Sequence, residues 1–284
     1  MSDGREGKDH VVIVGAGFAG LEAARALANK PVQVTLVDRN NHHLFQPLLY
    51  QVATAGLDAQ DIAHAVRGIF QDAPNVTFRM ARALEVDWES QRLVLDDGGP
   101  LPFDYLVFAA GATTTTFGID GVREHTYPLK MLSDAVRLRD HILRQFERVD
   151  KDPSLVEHGA LNFIVVGAGP TGVELCGALV ELFDHVLSRD FNTLDLREAR
   201  VVLVEALPQV LQSYSAESQE YARRVLEERG VEVMLDTPLE EVGDGYVRLG
   251  DGSEIRALTI VWAAGVRAHP LGDALGLEQT NAGR

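Results

Sequence analysis

Cysteine is almost absent from this sequence. The chain contains one, Cys176, so no disulfide can form within it and no Cys-x-x-Cys or longer redox pair exists. This count excludes chemistry that needs two thiols, such as disulfide exchange. So little cysteine is typical of a reducing compartment, and we expect a cytoplasmic protein.

Basic side chains are also scarce. There are 26 Lys and Arg residues against 42 Asp and Glu residues, which gives a formal net charge of −16 at pH 7. This charge argues against a nucleic-acid partner and leaves no basic surface for anionic lipid. We therefore expect phosphate groups to be held mainly by backbone amides and helix ends.

Long apolar runs are missing as well. No stretch of eighteen apolar residues occurs and residues 1–10 are polar, so we expect neither a transmembrane helix nor a signal peptide in this sequence. The apolar content of 46% is enough for two ordinary cores in 284 residues. At about 150 residues per domain, two domains are expected.

A glycine-rich turn follows the first apolar strand. Residues 11–20 have the sequence VVIVGAGFAG, in which four β-branched residues predict a buried parallel strand and Phe18 begins a helix. Gly15 permits the sharp turn, Gly17 lets a pyrophosphate approach the backbone, and Gly20 lets helix and strand pack closely. The pattern predicts a dinucleotide-binding strand–turn–helix.

The next strand, residues 32–37, ends at Asp38. An acid at this position of a dinucleotide-binding unit accepts hydrogen bonds from ribose hydroxyl groups. The other interpretation is a solvated turn residue, and the complete strand–helix–strand context favours the ribose.

The segment after Asp38 contains adjacent histidines, His42 and His43, followed by a Pro-interrupted apolar run, 44–50. We expect no metal site, because adjacent side chains point apart and no Cys or carboxylate stands at ligand spacing. The apolar run either lines a cofactor ring or packs as an ordinary loop, and the residues by themselves leave both open.

The opening pattern then returns. Residues 161–172, LNFIVVGAGPTG, repeat the strand and glycine loop, and the strand 201–204 ends at Glu205, the counterpart of Asp38. Each half closes with an apolar strand that runs into small residues, 105–111 and 259–265. Hairpin patterns lie between, with turns at Asp97-Gly98 and Asp251-Gly252. One unit has been used twice.

Three other segments are assigned from local signals. Residues 113–128 are rich in Thr, Gly and Pro and are interpreted as a linker. Ser133 is a candidate N-cap for a helix over 134–147, and Ser215 for a helix that Gly230 ends.

These patterns predict an α/β fold with two Rossmann-like dinucleotide-binding domains, each with a β-meander. The first domain is 1–118 with a remainder from about 271 onward, and the second, 119–270, is inserted into it. A flavin in one domain and a nicotinamide in the other form a chemically useful pair, because hydride transfer between these two cofactors needs no side-chain acid. This agrees with the absence of a Ser-His-Asp or Cys-His pattern.

Four segments are similar to the type II NADH dehydrogenases, which are single-chain NADH:quinone oxidoreductases: 11–20, 41–54, 167–174 and 262–266. The resemblance implies FAD on the first domain, at Gly15, Ala16, Gly17, Phe18, Ala19, Gly20, Asp38, Arg39, Pro47, Leu48, Ala83, Ala110 and Gly111. It implies NADH on the second, at Gly167, Gly169, Pro170, Thr171, Gly172, Glu205, Ala264 and Gly265.

The resemblance also implies a catalytic role for Glu174, between the nicotinamide and quinone ends of the flavin. The other interpretation is a carboxylate in the first helical turn that stabilises the helix N-terminus. Members of this family continue beyond the position of Arg284 with a quinone-site segment and an amphipathic membrane anchor. We expect residues 1–284 alone to bind NADH, to hold FAD weakly and to lack quinone reductase activity and membrane attachment.

The resemblance implies a quinone partner and a peripheral location on the cytoplasmic face of the inner membrane for the full-length protein, and a homodimer stays open. Two rival functions are considered. A sulfide:quinone oxidoreductase would need redox cysteines, which Cys176 alone does not provide. A nucleotide-binding redox sensor of the apoptosis-inducing-factor type, with incidental turnover, is not excluded by the sequence.

Overall fold

The computed structural model describes residues 7–191 and 194–275. The chain forms two compact units. Unit 1 contains the residues up to Phe45, 60–113 and those from Val266 onward, and unit 2 contains 46–59 and 114–265. Of the predicted remainder of the first domain, 276–284 lie outside the described residues.

The elements of the first part of the chain are β1 His10–Val14, α1 Phe18–Leu27, β2 Gln33–Asp38, β3 His42–Leu44, α2 Leu49–Ala53, α3 Ala59–Ile62, β4 Ala63–Ala65, α4 Val66–Ile69, β5 Val76–Met80, β6 Ala83–Asp87, β7 Arg92–Leu95, β8 Leu101–Pro102, β9 Tyr105–Phe108 and β10 Ala112–Thr114. The later elements are α5 Val122–His125, β11 Tyr127–Pro128, α6 Leu132–Lys151, β12 Asn162–Val166, α7 Pro170–Leu182, α8 Ser188–Asp190, β13 Arg200–Val204, α9 Ala216–Glu228, β14 Glu232–Met234, β15 Leu239–Gly243, β16 Tyr246–Leu249, β17 Glu254–Arg256, β18 Thr259–Trp262, β19 Val266–Ala268 and α10 Leu271–Ala274. Short 3₁₀ turns occur at Gln46–Leu48, Pro153–Val156 and Leu196–Glu198, and a π-helical turn at Phe183–Leu187.

Unit 1 is built on a four-stranded sheet in the order β5-β2-β1-β9, with every pair parallel. Alternate residues of β1 serve two cores: Ile13 packs with α1, whereas Val12 and Val14 pack with the antiparallel meander β6-β7-β8. A strand covered on both faces must be apolar throughout, which explains the continuous apolar run before the first glycine loop.

Unit 2 repeats this plan with a five-stranded parallel sheet, β11-β18-β12-β13-β14, and the meander β15-β16-β17. Ile164 and Val166 of β12 face the meander. Phe163 packs instead with Phe146 of α6, ring centroids 5.9 Å apart, and with Phe183. The predicted fold class, two Rossmann-like units each with a meander, is confirmed.

The segment 46–59 belongs to unit 2, although the sequence division assigned it to the first domain. The physical reason is that α2 packs against α6 and α7. The predicted assignment of one cofactor to each domain is a separate statement and stays a prediction.

Several local assignments were wrong. The expected linker 113–128 contains β10, α5 and β11. Helix α6 begins at Leu132 rather than after Ser133, because the Asp134 carboxylate accepts hydrogen bonds from the backbone N–H groups of Lys130 and Met131 and so fixes an earlier start. The cap of α9 is as predicted: the Ser215 hydroxyl accepts from Ser218 N, and Gly230 follows with φ +88°.

Candidate nucleotide-binding sites

The first glycine loop joins β1 to α1. Gly15 has φ +103°, and a methyl group there would overlap the Ala109 carbonyl oxygen, so this position requires glycine. A methyl group on Gly20 would likewise overlap the Gly15 carbonyl oxygen. At Gly17, the N-cap of α1, a methyl group would meet no described atom within 4 Å. The loop is therefore closed on the protein side and open above the helix N-terminus, where a phosphate fits.

Asp38 braces this loop. Its two carboxylate oxygens accept hydrogen bonds from the backbone N–H of Ala16 at 2.8 Å and of Asn40 at 2.7 Å. A carboxylate oxygen has two acceptor sites, so each oxygen keeps capacity for a ribose hydroxyl group. Asp38 therefore stabilises the glycine loop, in addition to its predicted role of binding a ribose.

His43 completes the first loop. Its Nδ1 lies 2.8 Å from the Ala16 carbonyl oxygen, and because a carbonyl only accepts, the proton is on Nδ1. The ring is buried and meets the exposed Phe18 edge-on, with centroids 5.3 Å apart. No sequence signal indicated this role, apart from an unexplained histidine near the ribose acid.

The second glycine loop joins β12 to α7 with the same geometry. Gly167 has φ +103°, and a methyl group on it would lie 2.8 Å from Ala264 Cα. Gly169 caps α7 and faces open space, while Gly172 packs against the Gly167 carbonyl. Pro170 occupies the first helical position, where its missing N–H is not needed.

Glu205 braces the second loop as Asp38 braces the first. Its Oε2 accepts from Ala168 N at 2.7 Å and its Oε1 from Leu207 N at 3.0 Å. The Ala168 carbonyl accepts from the backbone N–H of Leu211 at 2.8 Å. No histidine is used here.

A cavity of about 510 Å³ opens above the second loop. Six of the predicted residues line it: Gly167, Gly169, Pro170, Glu205, Ala264 and Gly265. Thr171 and Gly172 lie in α7 outside this lining. Phe117 also lines the cavity, although the sequence analysis placed it in a linker; it has φ +52° and its ring lies against Gly265. An aromatic residue in a left-handed conformation is strained, so the surrounding packing must hold Phe117 in this position.

The remaining residues predicted to contact FAD lie partly in unit 1 and partly in unit 2. Ala83 and Ala110 pack against the same core of unit 1, and Ala110 Cα is 3.3 Å from a methyl group placed on Gly15. The Gly111 carbonyl oxygen accepts a hydrogen bond from the backbone N–H of His269. Ala19 in α1 and Arg39 just after β2 are exposed. Pro47 and Leu48 lie in the 3₁₀ turn of unit 2.

Glu174 is the fifth residue of α7, so it lies beyond the first turn, and the alternative interpretation of a carboxylate in the first helical turn is wrong. Desolvation raises the pKa of its carboxyl group above the ordinary value. Helix α2 packs against α7, so two segments that the family resemblance singles out are neighbours within unit 2. Lys130, whose pKa is lowered by burial, donates to Gln46 Oε1 at 3.1 Å beside them.

Within residues 7–191 and 194–275, no group of three His, Cys, Asp or Glu side chains is arranged to hold a metal ion. Burial raises the pKa of the Cys176 thiol far above its usual range, which makes it an unreactive core residue. In the same part of the chain, no helix has the length and apolar character needed to cross a membrane.

Comparisons with known proteins agree with this architecture. Residues 9–284 match the pyridine nucleotide-disulphide oxidoreductase family. Among curated proteins, the chain is 39% identical to the type II NADH:quinone oxidoreductase NdhA of Mycobacterium tuberculosis and 37% identical to Ndh of that organism, over 98% of this chain and 62% of each relative. A Staphylococcus aureus type II NADH:quinone oxidoreductase is 30% identical over 92% of this chain and 65% of its own length.

Solved structures share the fold. NDH2 from Plasmodium falciparum in complex with NADH aligns with a TM-score of 0.87 at 20% identity, over 94% of this chain and 57% of that one. The sulfide:quinone oxidoreductase of Aquifex aeolicus aligns with a TM-score of 0.76 at 17% identity, over 96% and 62%. The chain spans 62% of the length of NdhA and Ndh. With two acid-braced glycine loops on parallel sheets and a family match over almost all its residues, this chain belongs to the pyridine nucleotide-disulphide oxidoreductase family.

Proposed function

We propose that this chain forms the nucleotide-binding part of a type II NADH:quinone oxidoreductase, with FAD on unit 1 and NADH on unit 2. The observation that carries the proposal is the presence of two glycine loops in one chain, each with a free helix N-terminus and a bracing acid. The 39% and 37% identical relatives bear that name.

Unit 1 suits a flavin dinucleotide. Gly17 leaves the N-terminus of α1 open for a pyrophosphate, and Asp38 is positioned for a ribose. Pro47 and Leu48 are proposed to lie near the isoalloxazine ring. A bound flavin would supply the hydride acceptor and the electron donor that quinone reduction needs.

Unit 2 suits NADH rather than NADPH. The cavity above Gly169 is large enough for a nucleotide, and Glu205 stands where a ribose 2′-hydroxyl binds. Ala206 and Leu207, which follow Glu205, offer no cation for a 2′-phosphate, and the carboxylate would repel one. We assign Glu174 the role of a positioning and charge-bearing group near the reacting rings, because its helix packs with α2.

The electron acceptor is proposed to be a membrane quinone, as the names of the relatives indicate for those proteins. The peripheral location on the cytoplasmic face and the homodimer stay predictions. The buried Cys176 argues against sulfide oxidation, which needs accessible thiols.

Rapid-mixing absorbance on the protein with bound flavin tests the proposal. We expect NADH to bleach the flavin band within the enzyme's turnover time and a soluble quinone analogue to restore it. A long-lived NADH–flavin charge-transfer band with slow reoxidation by quinone would contradict the proposal and support a redox sensor. Failure of the full-length protein to retain flavin would contradict the assignment of FAD to unit 1, whereas residues 1–284 alone are expected to hold FAD only weakly.

A further inference from the structure

A second cavity of unit 2, of about 420 Å³, has no part in the dinucleotide site. Leu258, just before β18, lines it, whereas the nucleotide cavity lies at Trp262 and beyond, where β18 ends. Because β12 and β18 are parallel, the two cavities lie at opposite edges of the same sheet.

One face of α6 borders this cavity. Arg137, His141, Gln145 and Arg148 line it, and Arg144 lies near enough to His141 and Tyr127 to affect the pKa of both. The spacing of these five residues follows the helical repeat, so they form one stripe, which we call the α6 polar stripe. The apolar residues that α6 buries in the core are not members of this stripe.

His141 and Tyr127 are held rigidly beside the stripe. His141 Nε2 lies 3.1 Å from the Leu258 carbonyl oxygen, so this nitrogen carries a proton and donates. Its Nδ1 lies 2.8 Å from the Tyr127 hydroxyl, and the two rings stack with centroids 4.4 Å apart. The wall of the cavity is therefore pre-organised.

The arginines of the stripe lack acidic partners. Among the residues that the structure describes, Arg137, Arg144 and Arg148 form no salt bridge, and Arg148 donates only to the Gln145 side-chain oxygen at 3.1 Å. Arg223 and Arg224 of α9 each pair with a glutamate of their own helix. Three unpaired guanidinium groups on one face are unusual in a chain of net charge −16, where carboxylates are abundant.

We propose that this cavity binds a phosphate group, carried by a soluble organic phosphate or by a lipid headgroup, between the guanidinium groups of Arg137 and Arg148, with Arg144 of the same stripe adding positive charge beside it. Planar guanidinium groups pair with phosphate oxygens through two parallel hydrogen bonds. The Tyr127 hydroxyl donates its hydrogen to His141 Nδ1, so the arginines are the donors for the anion. Glu124 and Asp244 also line the cavity and oppose an anion, so they limit its affinity. The proposal is independent of the proposed oxidoreductase function.

Calorimetric titration with inorganic phosphate tests the site. We expect Arg144→Gln combined with Arg148→Gln to weaken phosphate binding by about fivefold. The matched control is Arg223→Gln combined with Arg224→Gln, which removes two positive charges from α9 of the same unit and should leave phosphate affinity unchanged. NADH affinity should be equal in all variants, which shows that unit 2 remains folded.

Asp244→Asn supplies an opposite expectation. This residue lies in the turn between β15 and β16, where Asn is as suitable as Asp, so folding is preserved. Removing its charge should strengthen phosphate binding by about twofold. Equal phosphate affinity in the wild type, the double arginine variant of α6 and Asp244→Asn would overturn the proposal.

Two experiments distinguish a soluble organic phosphate from a lipid headgroup as the source of the phosphate group. In one, glycerol phosphate competes with inorganic phosphate in solution. In the other, the protein is sedimented with phosphatidylcholine vesicles that contain or lack phosphatidic acid. Binding in either experiment that the double arginine variant of α6 loses supports the site and identifies the source. Binding that the double variant keeps overturns it.

Discussion

The two glycine loops have nearly the same backbone but are held in different ways. In both, an acid at the end of the second strand accepts from the N–H of the middle alanine, Ala16 or Ala168. The carbonyl of that alanine accepts from the His43 ring in unit 1 and from the backbone of Leu211 in unit 2. The first loop therefore depends on one more side chain, and a point mutation can loosen it without touching the second.

The largest effects should come from the positive-φ glycines. Gly15→Ala combines a disallowed φ with overlap of the Ala109 carbonyl oxygen, and we expect a loss of roughly 3 to 5 kcal/mol in the free energy of unfolding. Gly167→Ala should cost about 1 kcal/mol less, because the contact of its methyl group with the Ala264 backbone at 2.8 Å is a smaller overlap than that of a methyl group on Gly15 with the Ala109 carbonyl oxygen. Chemical denaturation followed by fluorescence measures both.

The matched controls for that comparison are Gly17→Ala and Gly169→Ala. A methyl group at either position enters open space, so unfolding should be almost unchanged while nucleotide binding weakens. If Gly17→Ala destabilised the protein as much as Gly15→Ala, the division of duties within the loop would be wrong.

The next effect concerns the bracing acids. Glu205→Ala removes the ribose acceptor and two backbone contacts, and should weaken NADH binding roughly ten- to a hundredfold, by about 1.5 to 3 kcal/mol. Glu205→Gln should lie between, because its amide group accepts on one side only. Nucleotide fluorescence titration measures this. Equal affinity of the wild type for NADH and NADPH would refute the assignment of Glu205. The corresponding substitution in unit 1, Asp38→Ala, should weaken the retention of flavin rather than the binding of NADH.

The smaller third effect sharpens the difference between the loops. His43→Ala removes the ring that binds the Ala16 carbonyl and should cost about 1 kcal/mol, with faster flavin loss on gel filtration and unchanged NADH affinity. His42→Ala is the control, because within the described part of the chain the His42 ring forms a hydrogen bond only with the exposed side chain of its neighbour Asn41. Equal flavin retention in both variants would show that the histidine is dispensable.

The smallest effect on stability should come from Glu174. Desolvation raises the pKa of the Glu174 carboxyl group in the folded state above its ordinary value of 4.5. The stabilising contribution of this group is therefore fully present below pH 4.5 and is lost as the pH rises through the raised pKa. Glu174→Gln should therefore have a melting temperature at pH 7 equal to or slightly above that of the wild type, and the difference should disappear near pH 4. Quinone reduction by the enzyme should nevertheless slow. Unchanged turnover would leave Glu174 with no role in the reaction.

Local patterns predicted much of the framework. The strand–turn–helix segments with their glycine loops, the hairpin turns of the meanders and the Ser215 cap depend on residues within a few positions, where side-chain periodicity and backbone conformation decide the outcome. The linker assignment of 113–128 failed because β10 and β11 form only by pairing with β19 and β18, far along the chain.

The sequence by itself determined that two glycine loops exist and that an acid ends the strand after each of them, because glycine at a tight turn and a continuous apolar strand are local patterns. That these acids also hold the loops through Ala16 and Ala168 was seen only in the tertiary structure. Only the tertiary structure decided that His43 holds the first loop, that α2 packs in unit 2, that Phe117 lines the nucleotide cavity and that two arginines of α6 line a second cavity. These arrangements join residues separated by tens to more than a hundred positions. Their partners are chosen by packing and hydrogen bonding in three dimensions, which no local pattern records.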